Sequence, residues 1–278
     1  MSQVDLHIHS TVSDGQLSPA DIVRKAAEDG LTVIALTDHD NVDGIEPALE
    51  AAKNSPQLRV IPGIEISTDT TIGEAHVLGY FIDYTHPELL ATLKSLRNSR
   101  RERAQRMVAK LGKLGIPIEW ERVQEIAGSG SIGRPHLAQA MLEKGHITSL
   151  KEAFVKYIGW GRPAYVQREK KPPGEMVELI LRANGWPVLA HPLTIRDSEA
   201  IVAELKESGL AGIETYYNGY TTKEIDSLVS LADRYGLITT GGSDYHGLNG
   251  NDETTIGGVD VPLAAAERLI ALAEPRTL

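Results

Sequence analysis

Apolar and polar residues alternate strictly over Val4–His9, which puts Val4, Leu6 and Ile8 on one face of a strand and Asp5, His7 and His9 on the other. One face is core and the other is open to chemistry. From Leu17 to Asp29 the period lengthens to that of a helix, with Ile22, Val23 and Ala26 in one stripe, Ser18 as N-cap, Pro19 in the first turn and Gly30 as the stop. Leu31–Thr37 is a short, β-branched apolar run bounded by Asp38-His39-Asp40, the form of a strand buried on both faces. A helical run through Ala48–Lys53 leads to a strand signal at Val60–Glu65, and the turn-like Thr71–Gly73 precedes another at Ala75–Phe81. Strand signals return at Pro187–Ala190, Gly212–Tyr216 and Leu237–Gly241. Helical runs at Glu175–Ala183, Ser198–Glu207 and Thr222–Tyr235 alternate with them, and Pro262–Ala273 reads as a closing surface helix. This repeated alternation predicts an α/β protein with a parallel sheet covered by helices.

The alternation lapses between about Lys94 and Tyr165. Helical runs follow one another there at Leu93–Leu114, Trp120–Ala127, Pro135–Glu143 and Leu150–Tyr157, punctuated by the turn cluster Gly128–Gly133 and a loop at Gly159–Pro163. The predicted division is a β/α barrel built from residues 1–96 and 166–278, with a helical insertion over 97–165 capping its mouth.

Imidazoles and carboxylates cluster at the ends of these apolar runs: His7, His9 and Asp14; Asp38, His39 and Asp40; Glu65; His76; His191; Asp244 and His246. Six of the nine histidines fall in these segments, so the residue type best suited to binding Zn, Fe or Mn sits where a barrel places its chemistry. Nearly every candidate lies at a strand's C-terminal end, and a closed or nearly closed barrel explains that convergence better than an open sheet. An isolated His-X-His pair on a strand is commonly incidental, but here Ser13-Asp14-Gly15 follows it and offers a further carboxylate. Glu65 stands in an apolar Ile-Glu-Ile context, where an unpaired carboxylate is costly unless a metal or a cation meets it. Asp38 is placed to orient the His39 ring, and Asp40 reads as a cap of the following helix. His86 and His146 read as surface residues.

Composition narrows the chemistry. The chain has 278 residues, 41% of them hydrophobic, enough for a large core. It has no cysteine, which leaves only nitrogen and oxygen ligands for a metal and removes thiolate nucleophiles. A formal charge of −10 argues against broad binding to nucleic acid, so no stable association with double-stranded DNA is expected. Bound cations would reverse that field locally. The N-terminal segment has no basic region followed by an apolar one, and no apolar run approaches the roughly 18 residues of a spanning helix, so a soluble, cytoplasmic enzyme without a membrane partner is expected.

His7-Ile8-His9 with Asp14, Thr37-Asp38-His39-Asp40, Gly63-Ile64-Glu65, His76 in Ala-His-Val-Leu-Gly-Tyr, Ala190-His191-Pro192 and Ser243-Asp244-Tyr245-His246 resemble the ordered motifs of the PHP (polymerase and histidinol phosphatase) metal-dependent phosphoesterases. The resemblance implies a distorted seven-stranded β/α barrel with a trinuclear site. His7, His9, Glu65 and Asp244 would surround the first ion, Glu65, His76 and His191 the second, and Asp14, His39 and His246 the third. It implies two to three divalent ions (Mn, Fe or Zn) and a metal-bound hydroxide held by Glu65, Asp244 and His191 as the attacking group.

The insertion resembles the subgroup that removes the 3′-phosphate from nucleoside 3′,5′-bisphosphates and trims short RNA from its 5′ end. The features concerned are Arg97, Arg100 and Arg103, then Gly133-Arg134-Pro135-His136, then Gly161-Arg162-Pro163-Ala164-Tyr165. Arginines three apart otherwise read as a solvated helix face, with Glu102 as a partner. Arg134 and Arg162 lie in rigid Gly/Pro loops suited to bidentate phosphate binding, and His136 accompanies them. The expected substrate is a small phosphorylated molecule, a nucleotide or short RNA. Competing readings are histidinol-phosphate hydrolysis, an amidohydrolase, which bridges its metals with a modified lysine, and a non-catalytic metal-binding module, which predicts damaged ligands.

Overall fold

Seven strands, β1 (Val4–Ile8), β2 (Val33–Leu36), β3 (Arg59–Asp69), β4 (Glu74–Tyr80), β5 (Trp186–Leu189), β6 (Gly212–Tyr217) and β7 (Ile238–Gly242), make one sheet in which chain order is also spatial order. The structure, a computed structural model, describes residues 2–70, 74–128, 130–167, 171–247 and 254–274. The turn expected at Thr71–Gly73 lies outside the described residues. The sheet bends round until β7 reaches β1, where the His9 amide donates to the Tyr245 carbonyl at 2.9 Å. That approach needs Gly242, because a Cβ there would lie 2.4 Å from the His7 nitrogen. Between two strands that are not neighbours, the Tyr80 hydroxyl donates to the Leu6 carbonyl at 3.0 Å, a bond that must cross the barrel interior. The result is a distorted, nearly closed seven-stranded barrel.

Parallel alternation fails at one strand. β4 runs antiparallel to both β3 and β5. Only residues 70–73 separate β3 from β4, too few for a crossover, so the pair can only be a hairpin. β3 also runs past the expected Glu65 to Asp69.

The helices follow the expected order: α1 (Pro19–Glu28), α2 (Ile45–Ala52), α3 (Pro87–Lys113), α4 (Trp120–Ala127), α5 (Arg134–Glu143), α6 (Leu150–Ala153), α7 (Pro173–Arg182), α8 (Ser198–Glu207), α9 (Thr222–Tyr235) and α10 (Leu263–Ala273). Ser18 caps α1 by accepting from the Asp21 amide, as its position predicts. After α6 the chain makes one π-helical turn over Phe154–Ile158, closed by the Gly159 amide on the Phe154 carbonyl. No helix among the described residues is long and apolar enough to cross a membrane.

α3 belongs to two cores. Leu89, Leu93 and Leu96 pack with Ile64, Val77 and Ile180 of the barrel, whereas Ala104, Met107 and Leu111 pack with Val123, Leu137, Met141 and Ile158 of the cap. Between those stretches lie the three arginines, and they face inward rather than into solvent. Arg97 donates to the Asp40 carbonyl at 3.0 Å. Arg100 is buried against the Asp40 carboxylate and the Ser67 hydroxyl. Arg103 donates to the Val166 carbonyl at 2.9 Å and to Glu74 at 3.1 Å. Glu102 is therefore not the partner that fixes them.

Asp40, expected to cap a helix, instead sits at φ 51° and accepts from the Ser67 amide at 3.0 Å while pairing with Arg100. Its side chain is fully buried, so Asp40→Ala would strand the Arg100 guanidinium. The expected cost is about 3–5 kcal/mol of unfolding free energy. Denaturant titration checks this, and a loss below about 1 kcal/mol would show that the pair does not clamp cap to barrel.

Candidate active site

The loop after β1 owes its shape to Asp38. That buried carboxylate accepts from the Ser10 amide at 2.8 Å, the Ser10 hydroxyl at 2.7 Å and the Ser13 hydroxyl at 2.6 Å, which presents Asp14 beside His7 and His9. Asp38 therefore organises the Asp14 loop and does not orient His39. His39 is placed by a bridge to Glu65 of β3, with the Asp40 amide donating to the Glu65 carbonyl at 2.9 Å. His76 reaches Glu65 from the antiparallel β4. His191 and Asp244 follow β5 and β7 in backbone conformations rare for residues with a Cβ, at φ 29° and 52°.

All nine expected ligands meet around Glu65. Its Oε1 lies 2.7 Å from His76 Nδ1 and 3.1 Å from His191 Nε2. Its Oε2 lies 2.7 Å from His39 Nδ1, 3.3 Å from His9 Nε2 and 3.5 Å from His7 Nε2. Asp244 Oδ1 stands 3.3 and 3.1 Å from the same His7 and His9 nitrogens, and Asp14 Oδ1 is 3.4 Å from His246 Nε2. Three groupings have their ligand atoms within 4.8 Å of one another: His7, His9 and Glu65; His39, Glu65 and His76; and His9, Asp14, His39 and His246. His9 and His39 each belong to two of them, a sharing that the spacing of motifs along the chain does not reveal.

Buried polar atoms without a hydrogen bond test whether such a site fits metal. Among the described residues nine side-chain atoms are in that state, and five of them are His7 Nε2, His9 Nε2, Asp14 Oδ1, His39 Nδ1 and Glu65 Oε2. Five orphaned donor atoms aimed at one another are costly in an apo protein and suit divalent cations. The donor set fits.

Electrostatics agree. Burial alone would raise the Glu65 and Asp14 pKa values, yet the surrounding imidazoles hold both carboxylates well below their usual range. Burial would lower His7, but Glu214, Asp244 and Glu65 together push it well above 6.5. For His246 burial is likewise outweighed, and Asp14 and Asp244 raise it to about 10, whereas burial and the nearby His246 ring lower His9 to about 3. Protons held this way at ring nitrogens are the ones a metal ion displaces.

A further set of groups was not anticipated from the sequence. Glu214 is fully buried, accepts from His7 Nδ1 at 2.9 Å and takes the His191 amide at 2.7 Å, fixing one ring and one strained turn. Its signal was legible, since Gly212-Ile213-Glu214 repeats the Gly63-Ile64-Glu65 pattern of a carboxylate inside an apolar strand. The Tyr217 hydroxyl donates to Asp244 Oδ2 at 2.7 Å, and Thr194 Oγ1 is 3.1 Å from His191 Nδ1. Asp5, on the polar face of β1, binds the Ser243 and Gly257 amides at 2.9 and 2.8 Å.

Residues of the barrel and of α3 and α5 line a cavity of about 280 Å³, among them His39, His76 and His246 together with Arg100, Arg103 and Arg134. Arg134 opens α5 and pairs with Glu74, whose carboxyl would rise on burial but is brought down to about 2 by Arg134 and Arg103. His136 is buried and accepts from the Gly133 amide at 2.9 Å, serving the start of α5 and not lining the cavity. Arg162 is exposed and also lies outside the cavity lining.

Comparison with known proteins agrees with this geometry. The PHP domain matches residues 5–157. A 5′-3′ exoribonuclease of Haemophilus influenzae is 35% identical over 87% of this chain and 89% of its own. A 3′,5′-nucleoside bisphosphate phosphatase of Chromobacterium violaceum is 33% identical over 88% of each. Among solved structures, one from Bifidobacterium adolescentis, provisionally described as a metal-dependent phosphoesterase, superposes with a TM-score of 0.90 at 26% identity, covering 98% of this chain and 97% of the other. With the barrel, the converging imidazoles and carboxylates and these likenesses together, the chain belongs to the PHP family of metal-dependent phosphoesterases.

Proposed function

We propose that this enzyme removes the 3′-phosphate from nucleoside 3′,5′-bisphosphates, and that two to three Mn, Fe or Zn ions are held by His7, His9, Asp14, His39, Glu65, His76, His191, Asp244 and His246. The observation that carries the reading is the cavity itself, whose lining combines metal-competent side chains with three arginines. Bound divalent ions supply Lewis acidity and make water a competent nucleophile at neutral pH. Arg134 on the cap would grip the second phosphate and so orient the first within the cavity. Glu65, Asp244 and His191 would help hold the ions that activate the attacking water, with Tyr217 fixing the Asp244 carboxylate and Glu214 the His191 turn. The Chromobacterium relative named for this activity supports the reading.

The alternative substrate is a short RNA carrying a 5′-phosphate, which presents a terminal phosphate and a phosphate ester to the same cavity, and the Haemophilus relative is named as a 5′-3′ exoribonuclease. The cavity lining holds no lysine among the described residues, which disfavours a barrel amidohydrolase with a lysine bridge. Histidinol phosphate carries one phosphate and leaves the cavity's arginines unused.

A turnover panel on metal-reconstituted enzyme tests this: adenosine 3′,5′-bisphosphate, 5′-phosphorylated short RNA, histidinol phosphate and a set of small amides. The bisphosphate is expected to give the highest kcat/KM, with elemental analysis showing two to three ions per chain. One ion or none after reconstitution overturns the multinuclear assignment, and preference for histidinol phosphate or an amide overturns the substrate.

A further inference from the structure

Glu74 opens β4 at the rim of the cavity, and its single carboxylate meets three side chains of the cap region. Oε1 accepts from Arg103 at 3.1 Å and faces the Tyr165 hydroxyl at 3.4 Å, while Oε2 accepts from Arg134. Both guanidiniums stand over the Tyr165 ring, 5.0 and 6.0 Å from its centroid, and Arg134 also lies 5.6 Å from that of Phe154. Among the described residues Arg103 and Arg134 share the single Glu74 carboxylate, whereas Arg100 pairs with Asp40. Glu74, Arg103 and Arg134 all line the cavity. A carboxylate offers a guanidinium the same pair of oxygens that a phosphate does, so the two ligands are interchangeable at an arginine fork.

We propose that Glu74 is a specificity-determining residue, an internal anion that occupies Arg103 and Arg134 in the substrate-free protein and competes with an incoming phosphate for them. This rests on Arg134 being a phosphate ligand, as proposed above. Without Glu74 two guanidiniums would face each other in a partly buried corner, and with it the corner keeps its shape while empty. Competition weakens phosphate binding by the cost of drawing both guanidiniums from Glu74 and leaves a ligand without a phosphate unaffected, so the carboxylate lowers the preference for a terminal phosphate.

Calorimetric binding of adenosine 5′-monophosphate and of adenosine to the metal-loaded enzyme reads this directly, because the ratio of their affinities isolates the 5′-phosphate and needs no turnover. Glu74→Gln keeps the side-chain shape and removes the charge, so the ratio should rise about tenfold while the melting temperature falls. An unchanged or smaller ratio overturns the proposal. Glu74→Asp, which withdraws the carboxylate by one methylene with its charge kept, should raise the ratio by a smaller factor, about threefold. If the glutamine variant fails to fold, an unchanged ratio in the aspartate variant overturns the proposal instead. Arg134→Ala in the same assay separates the layers. A ratio that collapses in Arg134→Ala without rising in Glu74→Gln removes only the role given to Glu74. A ratio indifferent to Arg134, or no binding of the monophosphate, removes the phosphate-ligand reading as well.

Discussion

Replacing Glu65 with glutamine is expected to lower kcat by about a thousandfold or more and to reduce bound metal below two ions per chain. One carboxylate lies within 3.5 Å of five imidazole nitrogens, so no other side chain in the site touches as many ligand positions. Glutamine keeps the volume but brings an NH2 group against ring nitrogens and withdraws the charge that offsets the cations. His39→Ala removes one imidazole from two of the groupings but leaves the Glu65 carboxylate in place, and it should retain more metal and more rate. Elemental analysis and kcat on the best phosphate ester check the ranking, which equal losses in the two variants would contradict.

Arg134→Ala is expected to lower kcat/KM at least about tenfold on a nucleoside 3′,5′-bisphosphate, since a charge-assisted contact to phosphate contributes roughly 1.5–3 kcal/mol. Metal content should be unchanged, because Arg134 touches Glu74 and aromatic rings, and none of its described contacts is to a ligand. Binding energy from the remote phosphate orients the reacting one, so kcat should fall together with a rise in KM, and the preference for the bisphosphate over the 3′-monophosphate should shrink. Arg162→Ala should cost less, given that Arg162 is exposed and outside the cavity lining. Retention of parental kcat/KM by Arg134→Ala would show that the cap does not read a second phosphate.

The barrel and the convergence of the nine candidate side chains were legible in the sequence because both are local signals: an apolar run of given period, then a histidine or carboxylate at its end. Val4–Ile8, Val33–Leu36 and Ile238–Gly242 lie where the pattern places strands. The antiparallel β4 was not legible as such, since its composition is that of any buried strand and only the short connection from Asp69 to Glu74 sets its direction. The inward arginines of α3 were hidden for a related reason. A helix pattern reports which residues share a face, and Arg97, Arg100 and Arg103 do, but it cannot report that Asp40 and Glu74 wait opposite that face. Asp38 was read as a partner of the adjacent histidine when its true partners, Ser10 and Ser13, lie more than two dozen residues earlier. Glu214 was overlooked although Glu65 had already shown how to recognise it.

The way β1 is fastened has a consequence for the order in which the molecule is assembled. Asp5 at the start of the chain binds the amides of Ser243 and Gly257, across sequence separations of 238 and 252 residues. During synthesis the cap emerges whole before β5, so the Asp40–Arg100 clamp can form while the barrel is still an open four-stranded sheet. Asp244 and His246 arrive near the end, and the ring closes only when they do. Such late, long-range closure places the chain among slow folders, whose last step waits on the largest loop. At the open four-stranded stage a nascent chain carries six of the nine candidate ligands, His7, His9, Asp14, His39, Glu65 and His76, while His191, Asp244 and His246 are still to come.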